Sequence, residues 1–259
     1  MTTPSLQDTP HWEPASELLK RIKVEKEKLI KEKKIKKGEK QKSVDLGNIK
    51  PNIPNNWIYA DLDDISQFIT DGTHQTPKYT ESGKIFLSAQ NVKPFKFMPD
   101  KHKCISEEAF EEYTKGKKAE IGDLLIGRVG SKGETAVVDR KIEFAFYVSL
   151  GFVKTFKKLT NSNYLAIVLN SPYGYKYATG NMSSIGASAG NFNLGRIRSF
   201  PIPLPPLAEQ KAIVEKVENL MQKVSAMEEE INKSEQNAQM LMQAVLKEAF
   251  EGKKEEVGV

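Results

Sequence analysis

The sequence predicts an α+β fold: one globular domain with a mixed or antiparallel sheet, a basic helix before it and a long coiled-coil-forming helix after it. Three observations predict this. Between Trp57 and about Pro205, short apolar, β-branched and aromatic runs alternate with Gly, Asn, Ser and Lys turns. Beyond Pro206 no Gly or Pro occurs up to Phe250, and apolar residues recur at heptad spacing. Ahead of the domain, SELLKRIKVEKEKLIKEKKIKK is strongly helical in composition.

Taken in order, residues 1–15 are rich in Pro and Thr and are expected to be disordered. Residues 16–42 form a basic helical arm. Its helix is expected to run from Ser16, a candidate N-cap, to about Lys37, with Glu17 near the positive dipole end and Gly38 as the stop. Leu18, Leu19, Ile22, Leu29 and Ile35 make only a thin apolar stripe, so this helix needs a partner to stay folded. A polar linker, 43–56, ends in the rigid stretch PNIPNNW. The globular domain spans 57–200. Its candidate strands are WIYADL (57–62), KIFLSAQNV (84–92), DLLIGRV (123–129), TAVVD (135–139), AFYVSLGFVKTF (145–156) and FNLGRI (192–197). EEAFEEYTK (107–115) and NYLAIVLNSPYGYKYA (163–178) read as helices.

Residues 201–206 read as a proline-stiffened hinge, and Pro206 with Glu209 makes a good entry to the helix 207–250. Heptad a positions fall on Val217, Val224, Ile231, Ala238 and Val245, and d positions on Leu220, Met227, Ser234 and Leu241. Only Ser234 in this seam is polar. The pattern is that of a coiled coil; a single amphipathic helix packed on its own domain is the alternative. At about 1.5 Å per residue the rod is on the order of 65 Å long, roughly twice a DNA turn of about 34–36 Å. Residues 251–259 are expected to be a disordered tail.

The 259 residues, 39% hydrophobic and 28% charged, suit a folded core. No apolar run approaches the roughly 18 residues needed to span a bilayer, so no membrane partner is expected. MTTPSLQDTPHWEP lacks a secretory pattern. A single cysteine, Cys104, excludes an internal disulfide framework and fits a reducing cytoplasm. The net charge of +5 is uneven. Residues 1–43 hold 12 Lys and Arg against 7 Asp and Glu, 44–206 hold 20 against 16, and 207–259 hold 7 against 11. The basic arm and domain suit phosphate, although lysine runs also form ordinary solvated helix faces.

No GxGxxG or Walker pattern is present, and GASAG at 186–190 has the letters of GxSxG but follows a predicted helix and precedes a predicted strand, the reverse of a nucleophile elbow, so no catalytic residue is assigned. His11, His74 and His102 are scattered, and His102 with Cys104 supplies at most two ligands, so no metal site is expected. NSPY, Asn170–Tyr173, is similar to the Asn-Pro-Pro-Tyr loop with which adenine and cytosine amino-methyltransferases hold a flipped base. Here Ser171 replaces the first proline, and no Gly-rich S-adenosylmethionine element precedes it. Ser-Pro after an apolar helix is an ordinary helix end, which is the preferred reading.

Four polar loops suit nucleic acid instead. DGTHQTPKY (71–79) carries Thr73, His74, Gln75 and Lys78, and SAQNVK (88–93) carries Gln90, Asn91 and Lys93. GRVGSKGE (127–134) holds Arg128 and Lys132 between glycines, and SSIGASAGNFNLGRIR (183–198) holds Asn191, Asn193, Arg196 and Arg198. Phosphate contacts are expected from Lys78, Lys93, Arg128, Lys132, Arg196 and Arg198. Base-edge contacts are expected from Thr73, His74, Gln75, Gln90, Asn91, Asn191 and Asn193, since Gln and Asn pair in bidentate fashion with adenine.

From Trp57 to about Phe250 the sequence resembles the specificity subunits of Type I restriction–modification systems. The markers are W-x-x-x-x-L-x-D-I at 57–65, DGTH-x-TP at 71–77, FLSAQNVK at 86–93, GDLLIGRVGS-x-G at 122–133 and SIG-x-S-x-x-NFNLGRI at 184–197. The most specific is PIPLPPLAEQKAIVEKV at 201–217. The resemblance implies a non-catalytic subunit whose recognition domain reads half of a split target in double-stranded DNA. It implies docked methyltransferase subunits, which carry S-adenosylmethionine for adenine N6-methylation, and translocating restriction subunits, which carry ATP and Mg. No cofactor is expected on this chain. Family members carry two recognition domains and two long helices; one of each here looks like a half-subunit, expected either to dimerise through the 207–250 helix and the 16–37 arm or to pair with a second, different half. The rival expectations are the DNA-reading part of an adenine methyltransferase and a coiled-coil adaptor protein.

Overall fold

The computed structural model describes residues 13–36, 38, 50–179 and 192–251. The expectations for 1–12, 39–49, 252–259 and Asn191 lie outside the described residues. The chain divides into two compact units after Ala212.

The arm helix α1 (Ala15–Lys31) buries Ala15, Leu18, Ile22 and Lys26, one stripe at helical spacing. It starts one residue before the predicted cap, after Pro14, with no side-chain cap hydrogen bond. It also ends well short of Lys37: the chain leaves the helix at Glu32 and Lys33, which adopts φ 56°. The thin stripe finds its partner within the same unit. It lies against β1 (Ile58–Asp61) and β2 (Ser66–Asp71), and Lys26 forms a buried ion pair with Asp63 at 2.9 Å. The apolar face of the arm is thus occupied within the unit.

The predicted run 84–92 is three elements. β3 (Lys84–Leu87) stops at Ser88, a 3-10 turn covers Ala89–Asn91, and β4 (Val92–Lys93) forms a hairpin with β5 (Lys96–Phe97). β6 (Lys103–Ile105) and α2 (Glu107–Thr114) follow, α2 capped by the Ser106 hydroxyl. β7 (Leu124–Gly127), β8 (Thr135–Val137), β9 (Phe144–Phe146) and β10 (Leu150–Thr155) come next. The run read as one strand over 145–156 is thus split between two sheets. β10 is central in the antiparallel order β2-β10-β7-β8, whereas β9 pairs parallel with β3 in β6-β3-β9. Both pieces are almost wholly buried, so no alternation marked the break.

A phenylalanine ladder joins these sheets. Ring centroids lie 5.6 Å apart for Phe97–Phe144, 6.2 Å for Phe144–Phe146, 5.5 Å for Phe146–Phe152 and 5.9 Å for Phe68–Phe152. On the opposite face, Phe86 and Ala145 pack with Ile105 and with Phe110 of α2. The period-2 alternation of β3 and β9 assigns neighbouring residues to the two cores.

The predicted helix 163–178 is α3 (Ser162–Asn170) and α4 (Pro172–Thr179), divided at Ser171, which is extended because proline follows it. FNLGRI is a helix rather than a strand: Asn193 caps the short α5 (Leu194–Arg198), its side chain accepting from the Arg196 N–H at 2.9 Å. The expected hinge is β11 (Pro201–Leu204), paired antiparallel with β1. Prolines cannot donate to a ladder and so belong on an edge. The carbonyls of Pro203 and Pro201 accept from the Tyr164 and Tyr173 hydroxyls, respectively, and burial pushes both phenols up. α6 (Leu207–Glu251) is one continuous 45-residue helix. Its first turn is anchored by buried Gln210, which accepts from the Asn161 N–H and donates to the Pro205 carbonyl.

A Cβ on Gly72 would collide with the Phe146 carbonyl oxygen, so the position has no room for one. Gly72→Ala is expected to cost about 3 kcal/mol by overpacking against backbone, read as a fall in Tm of roughly 6–12 °C.

Candidate nucleic-acid interface

β7 ends at Gly127, where a Cβ would collide with Ser131, and the next residue, Arg128, turns inward. Its guanidinium pairs with the Asp71 carboxylate, the two side chains being 8% and 13% exposed. The same group donates to the Val148 carbonyl at 3.0 Å and to the Phe192 carbonyl at 3.2 Å. Its backbone N–H donates to Ser149 O, and its carbonyl accepts from Phe192 N–H, each at 2.8 Å. One residue therefore ties the loop after β2, the β9–β10 turn, the loop after β7 and the entry to α5. Gln90's loop joins through Ser149, whose hydroxyl accepts from the Ala89 N–H at 3.1 Å.

Three of the loops predicted from sequence and the described end of the fourth, from Phe192, are thus brought together, but their side chains divide; residues 180–191 lie outside the described residues. Arg128 is buried, with its guanidinium engaged inside the domain rather than offered at the surface. Asn91 is likewise turned inward: its amide donates to Met98 O and Lys101 O and its oxygen accepts from Ser88 N–H, closing a buried turn. Arg196 is buried, donating to the Tyr177 carbonyl with its guanidinium over the Tyr177 and Phe192 rings. Asn193 is a helix cap, and Arg198 is half-buried with a bond to Ile69 O at 2.8 Å. These two side chains are committed to the fold rather than displayed.

His74, Gln75, Lys78, Gln90, Lys93 and Lys132 are exposed, and Thr73 is half-buried. His74 Nε2 lies 3.3 Å from the Asp71 carboxylate, a contact that becomes an ion pair when His74 is protonated. Lys93 sits 3.9 Å from Glu134. Lys132 lies over the Tyr175 ring at 5.5 Å, and the Tyr175 hydroxyl beside it holds its ammonium above the usual lysine range. The NSPY segment is a helix end: Asn170 exchanges hydrogen bonds with both backbone groups of Thr135, and its amide bonds back to Ala166 O. Among the described residues no cluster of three or more His, Cys, Asp and Glu is arranged to hold a metal.

Three surface residues escaped the sequence reading. Phe95 is 48% exposed at the tip of the β4–β5 hairpin, with φ 63°, between Lys93 and exposed Lys96. Tyr175 is 45% exposed beside Lys132. Lys117 donates to the Asp71 carbonyl at 2.9 Å; burial pushes its ammonium down, with nearby Asp71 opposing the shift. Pro-Phe flanked by lysines was the available signal for the first; the other two depend on tertiary neighbours.

Residues 54–236 match the family described as Type I restriction modification DNA specificity domain. The chain belongs to this family. It is 24% identical over 247 residues to the Type I restriction enzyme EcoEI specificity subunit of Escherichia coli, covering 91% of this chain and 41% of that protein. It is 25% identical over 214 residues to the EcoBI specificity subunit of Escherichia coli, covering 82% and 44%. The fold is similar to a chain in a solved type I R-M system, with TM-score 0.56, 19% identity, and 91% and 53% of the two chains covered. It is also similar to the HsdS subunit from Thermoanaerobacter tengcongensis, with TM-score 0.50, 19% identity, and 92% and 53% covered. The chain spans about half the length of the relatives it matches. Within this specificity domain, DGTH-x-TP and GDLLIGRVGS meet at the Asp71–Arg128 pair, so these motifs include structural joints.

Arg128→Ala leaves Asp71 buried without its partner and is expected to cost about 3–5 kcal/mol, measured by urea unfolding. A variant that kept full stability but bound DNA with a flatter salt dependence would return Arg128 to the phosphate-contacting set.

Proposed function

We propose that this chain is the DNA-reading component of a Type I restriction–modification system. In this reading it selects half of a bipartite duplex target and docks methyltransferase and restriction subunits that perform the chemistry. S-adenosylmethionine, ATP and Mg belong to those partners, and this chain contributes no catalytic group. The observation that carries the reading is the specificity-domain match over 54–236, coinciding with loops that Arg128 holds together while His74, Gln75 and Gln90 stay exposed. Exposed glutamines read adenine edges, and Lys78, Lys93 and Lys132 supply phosphate contacts.

Self-association through α6 is part of the proposal. Leu220, Met227, Ile231, Leu241 and Val245 are each more than half exposed on a 45-residue helix, an apolar seam suited to a second helix. A two-fold dimer would read identical half-sites in inverted order.

The test reconstitutes the full chain with its cognate modification subunits, selects binding sites from random duplexes and maps methylated adenines. Sequence preference is expected; its absence refutes the reading. Gln75→Ala with Gln90→Ala should relax discrimination about tenfold or more, on the scale of about 1–3 kcal/mol for a bidentate base contact. Lys132→Ala should weaken specific and random DNA alike and flatten the salt slope by about one. Leu241→Glu should shift the chain toward monomer in sedimentation velocity.

A further inference from the structure

We infer that a basic cleft at the end of the arm helix grips the phosphate backbone of duplex DNA. The inference rests on the DNA-reading role proposed above and adds to it a site that the loops do not include. The cleft has a volume of about 540 Å³ and lies where the residues after α1 meet β2 and the turn after α2. Six cations line it: Lys33, Lys34, Lys36, Lys115, Lys117 and Arg198. Asp63 is the acid of the lining, and its carboxylate is already held by Lys26 at 2.9 Å.

The backbone explains the convergence. After Lys31 the chain turns, with Lys33 N–H on Ile30 O and Lys34 N–H on Leu29 O, which carries Lys33–Lys36 past the helix and over the cleft. The cations that offset the helix's negative end are Lys28 and Lys31, one turn earlier, so that duty does not account for Lys33 and Lys36. Opposite them, Lys115-Gly116-Lys117 forms a tight turn in which Gly116 has φ 72°.

Three of the six cations are partly committed, Lys117 among them through its bond to the Asp71 carbonyl. Lys34 pairs with Glu32 at 2.8 Å, and Arg198 donates to Ile69 O. Lys33, Lys36 and Lys115 are exposed and have no acid within ion-pair distance among the described residues. Lys117 is half-buried, and burial disfavours its charge; an arriving phosphate would favour it. Such a concentration of unneutralised cations repels itself and is relieved by a polyanion. Its partner is identified by continuity: Lys117 bonds the carbonyl of Asp71, the residue that opens the 71–79 loop and pairs with Arg128. A strand lying in the cleft would run directly into the exposed loop residues.

The test uses the full chain with Lys33→Ala, Lys36→Ala and Lys115→Ala combined, beside the all-arginine version of the same three. Binding to target and random duplexes is measured across salt. At about 0.9 in slope per phosphate contact, the alanine variant should flatten log Kd against log salt by about three, and weaken both duplexes at least about tenfold at moderate salt. The arginine version should bind as the unaltered chain does. An unchanged slope overturns the inference, as does lost binding accompanied by a changed oligomeric state, which would assign the cleft to the acidic helix of a second copy. If the unaltered chain prefers no sequence, the proposed function fails, and the slope on random duplex still decides the cleft.

Discussion

The buried pair between Arg128 and Asp71 is the constraint around which this domain is arranged. A guanidinium can donate in several directions from one plane. Here it spends those donors on a carboxylate and two carbonyls from separate segments, Val148 and Phe192. Loops rich in Gly, Ser and Asn would otherwise have little to hold them. Gly72 and Gly127 keep their Cβ positions empty, so the chain packs closely enough for the bonds to form. An interface that must present a few polar side chains in fixed geometry needs such a rigid support.

The same economy governs the segment around β11. β11 is built from prolines, which forgo ladder donors, yet its carbonyls are still satisfied by Tyr164 and Tyr173. Gln210 in the following helix turn closes the Asn161 N–H and the Pro205 carbonyl. The PIPLPPLAEQ segment is therefore tied to the domain by hydrogen bonds through the first turn of the helix, as well as stiffened by its prolines. Together, the two joints sort the polar residues of the domain. Asn91, Arg128, Arg196 and Gln210 are interior fasteners, and the exposed set is short.

The arm is a further case of a local pattern completed by its surroundings. An apolar stripe as thin as Leu18, Ile22 and the stem of Lys26 would not keep an isolated helix folded. Against β1 and β2, with Lys26 neutralising Asp63, it suffices. Docking the arm there brings its following lysines over a cleft of the domain, so the charge asymmetry legible in the sequence acquires a location.

Periodicity and punctuation alone determined the α+β class, the long helix after Pro206, the helix at 107–115 and the four polar loops, because heptads, proline stops and glycine turns are local signals. They also carried the family resemblance through motifs that span the chain. The sheet partners of 145–156, the helix at 194–198 and the strand at 201–204 were decided by tertiary structure. Two adjacent buried runs look like one, and a capped five-residue helix matches a strand's alternation. Which polar side chains serve the fold and which face solvent was likewise decided only there. Arg128 and Lys132 stand four residues apart in one glycine-rich loop, and the difference between them is the buried carboxylate of Asp71, 57 residues distant in sequence.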